Sequence, residues 1–61
     1  MFDKTSLDAM FDELRNEYEL EPEWELIERD AHLGVAYSDA GMPLKNIDRR
    51  VATAINKHKP D

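Results

Sequence analysis

Apolar residues recur along this chain three or four positions apart in three separate segments, and almost nowhere alternate with polar ones as a strand would require. Leu7, Met10, Phe11, Leu14 and Tyr18 make a single stripe, which predicts a helix over about 4–19. Leu44, Ile47, Val51, Ala54 and Ile55 make another, which predicts a helix over about 44–58. The segment between them, about 22–39, carries two stripes. Trp24, Ile27, Ala31 and Val35 lie on one, with Gly34 beside them. Leu26, Leu33, Tyr37 and Ala40 lie nearly opposite at about 100° per residue. Glu25, Glu28, His32 and Asp39 separate the stripes on one side, and Glu23 and Asp30 on the other. A helix apolar on two faces is covered twice.

Sixty-one residues form one domain, 1–61, near the lower limit for a self-sufficient core. Without cysteine, neither a disulfide nor a thiolate metal site supplements it. The expected fold is therefore all-α: three short helices with the second in the centre, an open bundle completed by dimerisation about a two-fold axis.

The breaks between segments carry helix-terminating chemistry. Asp3, Thr5 or Ser6 can cap the first helix, and with Asp3 as cap, Phe2 and Leu7 take the positions of a hydrophobic staple. Pro22 suits the first position of the second helix. Gly41 suits the left-handed residue just beyond its end, and Pro43 prevents continuation. Lys57, His58 and Lys59 complement the negative end of the third helix.

Charge is divided unevenly. Residues 1–41 hold twelve acids against Lys4, Arg15 and Arg29, a net −9; residues 42–61 hold five bases against Asp48 and Asp61, a net +3. Such a balance disfavours non-specific adhesion of the whole chain to nucleic acid or anionic lipid. With no signal-like N-terminus and no apolar run of membrane-spanning length, a soluble cytoplasmic protein is expected.

Chemistry-bearing patterns are sparse. Glu28 and His32 stand at i, i+4 with Glu25 nearby, but no further ligand is identifiable, and they read as a solvated pair rather than a metal site. There is no Gly-rich phosphate loop and no nucleophile with a base at interpretable spacing. No enzyme, cofactor or metal is expected.

Two binding readings remain. In the leading one, a small acidic regulator or inhibitor binds a protein partner through helical surface. Trp24 and Tyr37 serve as aromatic anchors, and Asp8, Asp12, Glu13 and Glu17 present negative charge to a basic site. The alternative rests on Ala40–Val51. There Gly41, Met42 and Ile47 take the positions of a turn glycine, the apolar residue after it and an apolar residue six beyond. This segment resembles the turn and second helix of helix-turn-helix DNA-binding proteins. The resemblance implies a DNA-binding regulator in which Lys45, Asn46, Arg49 and Arg50 face phosphates and base edges. Tyr37 stands where the motif has a small residue, and Arg50 where an apolar one is usual.

Overall fold

The computed structural model describes residues 1–60, folded as three α-helices in the order α1 (Lys4–Tyr18), α2 (Trp24–Asp39) and α3 (Arg49–His58). No strand occurs among the described residues, so the all-α expectation holds. Among the described residues, no helix is long and apolar enough to cross a membrane.

Local chemistry accounts for each helix end. Asp3 caps α1, its carboxylate accepting from the Ser6 amide at 2.7 Å. Phe2, just before this cap, is buried, and its amide donates to Asp39 Oδ1 at 2.8 Å, which ties the start of the chain to the end of α2. The α2 C-terminus closes with Gly41 at φ +72°. The Gly41 amide donates to the Ser38 carbonyl and the Met42 amide to the Tyr37 carbonyl, the paired bonds of a Schellman ending. At the front of α2, Pro22 lies two residues outside the helix rather than at its first position, and Glu23 occupies the cap without a side-chain bond.

The third helix departs further from expectation. It starts at Arg49, not at 44, and is ten residues long. Asn46 takes φ +60°, which no right-handed helix accommodates, and Asp48 then caps α3 by accepting from the Arg50 amide at 2.9 Å. Leu44 and Ile47, expected on the helical stripe, reach the core from the connection instead. Lys45 and Asn46 consequently lie off the helix.

The core consists of Phe2, Met10, Leu14, Ile27, Ala31, Val51, Ala54 and Ile55, with Leu7, Phe11, Tyr18, Trp24, Val35, Leu44 and Ile47 packed around it. The α1 stripe and one stripe of α2 contribute as their spacing predicts. The centre of the bundle is not α2, however. The shortest helix, α3, packs against both others, while α1 and α2 touch only slightly. Gly34 is the reason α3 lies so close to α2: a Cβ there would overlap Ile55 Cδ1. The molecule measures 30 × 24 × 14 Å, its short axis little more than one helix diameter of about 10–12 Å. On α2, Leu26 and Leu33 stay about two-fifths exposed.

Replacing Gly34 with alanine forces the fully buried Ile55 to move. Overpacking costs about 1–3 kcal/mol, against a gain of about 1 kcal/mol in helix propensity. Urea denaturation of Gly34→Ala is expected to show a net loss, and Gly34→Ala/Ile55→Val, which removes Cδ1, should be more stable than Gly34→Ala alone. No gain in stability on adding Ile55→Val to Gly34→Ala would contradict the close approach.

Candidate functional site

Two features stand out on this scaffold: a polar joint where the three helices converge, and an apolar lane on the open side of α2. The joint begins with Asp30, only 4% exposed, on the turn of α2 that faces the start of α3. Its Oδ2 accepts from the Asp48 amide at 3.0 Å, and its Oδ1 lies 3.5 Å from Arg29 Nη2. A buried carboxylate is tolerated where a donor satisfies it. Asp30 thereby holds the residue that caps the next helix.

Asp48 in turn holds Arg50. Its Oδ1 accepts from Arg50 Nε at 2.9 Å and its Oδ2 from Nη2 at 2.8 Å, a two-pronged guanidinium–carboxylate pair. Arg50 Nη2 also reaches Glu23 Oε2 at 3.0 Å, and the guanidinium carbon lies 5.1 Å from the Tyr18 ring centroid. One arginine thus links the end of α1, the cap of α2 and the first turn of α3. Its hydrogen bonds hold the Asp48 carboxyl below the usual carboxylate range, and the two carboxylates hold the guanidinium more firmly protonated than usual. A second clasp joins α1 to the end of α3, where Glu13 Oε1 accepts from Lys57 Nζ at 2.7 Å and lies 3.2 Å from His58 Nε2. These partners, Lys57 first, lower the Glu13 pKa.

The apolar lane consists of Leu26 and Leu33, 42% and 41% exposed, with half-buried Tyr37 continuing it. Seven residues apart, the two leucines sit within about 20° of one another on the helix. Pro22, Glu23, Glu25, Leu26 and Arg29 line a shallow groove at its N-terminal end.

The residues singled out from the sequence scatter across these features. Trp24 is half-buried against the core, and Tyr37 is half-buried on the open lane. On α1, Asp8, Asp12 and Glu17 are exposed. Asp8 pairs with Lys4 at 3.1 Å and Asp12 with Arg15 at 2.9 Å, so part of that negative row is neutralised where it stands. Glu13 is spent on the α3 clasp. Of the bases, Lys45 lies in the connection with Asn46, Arg49 is exposed at the start of α3, and Arg50 turns inward to the joint. The four do not share a helical face. Glu28 and His32 gain no third ligand: no group of three or more metal-binding side chains forms among the described residues. The His32 ring stacks instead at 4.8 Å from Phe11, between α1 and α2. Asp30 was read only as a polar spacer, because its partner lies eighteen positions away with no local signal to announce it.

Comparison with protein-family models, with curated proteins and with solved structures finds no match to this chain.

Substitution Asp30→Ala leaves the Asp48 amide without its acceptor and is expected to cost about 1–3 kcal/mol; Asp30→Asn, which keeps an acceptor oxygen, should cost less. Acid sensitivity follows from Asp48. Because its folded pKa lies below the unfolded value of about 3.9, its contribution is complete above that value and disappears as pH falls through the folded one. Urea midpoints measured downward from pH 5 should therefore decline less steeply in Asp48→Asn than in wild type, and equal slopes would contradict the assignment.

Proposed function

We propose that this protein is a small, non-enzymatic interaction module that binds a protein partner along the open lane of α2. The carrying observation is that Leu26 and Leu33 remain about two-fifths exposed at the edge of the buried side of the same helix. Single exposed leucines are ordinary; two in register on one helix, continued by an aromatic ring, form a surface suited to a helical segment. Tyr37 supplies an aromatic contact on the lane and Trp24 stiffens its first turn from the core side. Exposed acids on α1 and α2 would steer the approach of a partner more than they would hold it.

Magnitudes set the type of complex. A stable interface of ordinary size buries about 800 Å² per partner, close to a fifth of the 4352 Å² this chain exposes. A lane on a helix of 16 residues, about 24 Å long, offers less than that. Completing the burial of two half-covered leucines contributes about 1 kcal/mol each. The complex is accordingly of the transient, regulatory kind, with micromolar rather than nanomolar affinity. Dimerisation, expected from the sequence, is the version of this interaction in which a second copy covers the lane.

Changing both lane residues, Leu26→Ser/Leu33→Ser, replaces side chains that lie outside the hydrophobic core cluster. The doubly substituted protein should keep its helical circular dichroism and unfold within a few degrees of wild type, yet lose the partner that wild type retains on affinity capture from its native host. Undiminished capture by the variant would reject the α2 lane as the binding surface.

A further inference from the structure

We propose, building on the reading of α2 as the binding surface, that its occupant is a basic amphipathic helix of a partner protein. Shape supplies the first part. Leu26 and Leu33 lie about 10.5 Å apart along a straight helix, which matches the spacing of apolar residues one heptad apart on an opposing helix. Charge supplies the second. Residues 19–40 hold seven acids against Arg29, a net −6, which equals the charge of the whole chain; residues 1–18 at −3 and 41–61 at +3 cancel. Three of the seven are engaged within the fold, Glu23 by Arg50, Asp30 by the Asp48 amide and Asp39 by the Phe2 amide. Glu19, Glu21, Glu25 and Glu28 remain exposed around α2 and its approach, Glu25 about 100° and Glu28 about 160° round the helix from Leu26, with the exposed base Arg29 about 60° from it. The uncompensated negative field of the protein therefore surrounds the element that carries the open leucines.

A second copy fits this surface poorly. Two α2 helices laid side by side in either direction bring acids together, since Arg29 is the helix's only Lys or Arg and its last turn has no base. Docking α3 of another copy would bring Arg49, Thr53, Asn56 and Lys57, exposed but without a large apolar side chain to meet the leucines. Nucleic acid and anionic lipid share the sign of the surface and are repelled. A segment with leucine-like residues on one face and lysine or arginine elsewhere suits both the lane and the net negative charge of the α2 region.

The test uses the intact protein, isotopically labelled, titrated with three synthetic peptides of about 18 residues, five helical turns. One is an amphipathic Leu/Lys helix, one the same composition scrambled to scatter its leucines, and one an amphipathic Leu/Glu helix. The Leu/Lys helix is expected to bind with micromolar affinity and to shift the amides of α2 around Leu26, Leu33 and Tyr37. Scrambling the peptide, or Leu26→Ser/Leu33→Ser in the protein, should weaken binding about thirtyfold, the loss of roughly 2 kcal/mol of contact. Glu25→Lys/Glu28→Lys should weaken it with the leucines intact, and Leu/Glu should not bind. Equal binding of the scrambled peptide, shifts centred on α1 or α3, or no binding of Leu/Lys each overturn the proposal. So does sedimentation showing a wild-type dimer that Leu26→Ser/Leu33→Ser dissociates, because the lane then belongs to a second copy. If Leu/Lys fails while leucine-dependent capture of a partner persists, the class of occupant is wrong and the binding surface stands; if capture ignores the leucines, the surface itself is wrong.

Discussion

A single buried carboxylate sets the geometry on which the rest of this structure depends. Asp30 accepts the amide of Asp48, and Asp48 then ends the irregular connection by capping α3 and gripping Arg50. Burying an acid is costly unless its oxygens are engaged. The connection can therefore settle only where a backbone donor meets Asp30, which fixes where α3 begins. Arg50 extends the same chain of contacts to Glu23 and Tyr18, so that a ten-residue helix is anchored to both of its neighbours at its first turn.

That anchoring determines which side of α2 is inside. Asp30, Ile27, Ala31 and Gly34 all face α3, and the missing side chain at Gly34 lets Ile55 seat against the α2 backbone. With this side turned inward, Leu26 and Leu33 are carried to the rim, where each is about two-fifths exposed. The open lane and the buried joint are thus two consequences of one rotation of α2. The residues of the core and those of the proposed binding lane are different ones.

Much of this was legible in the sequence where the signal is local. The α1 stripe from Leu7 to Tyr18, the Asp3 cap with Phe2 before it, and the left-handed Gly41 all follow from neighbouring residues, and all stand as expected. The second stripe of α2 is present as read, with Leu26 and Leu33 half-covered in the folded chain. What escaped was non-local. The apolar spacing of Leu44 and Ile47 continues that of Val51 and Ile55, yet Asn46 turns left-handed and the helix begins five residues late, because Asp48 is held from α2. The same capture removes Lys45 and Asn46 from the helix and draws Arg50 inward, dispersing the basic face that the helix-turn-helix likeness implied. Placing α2 at the centre followed from its two stripes; α3 takes that place because Gly34 admits it.

The direct measure of this account is the solvent exposure of individual methyl groups in dilute solution, read by NMR with a soluble paramagnetic reagent. Strong broadening of the Leu26 and Leu33 methyls, with those of Ile27, Val51 and Ile55 protected, is the predicted result. Leucine methyls as sheltered as those of Ile27 and Ile55 would contradict it, since α2 would then be turned differently or already covered.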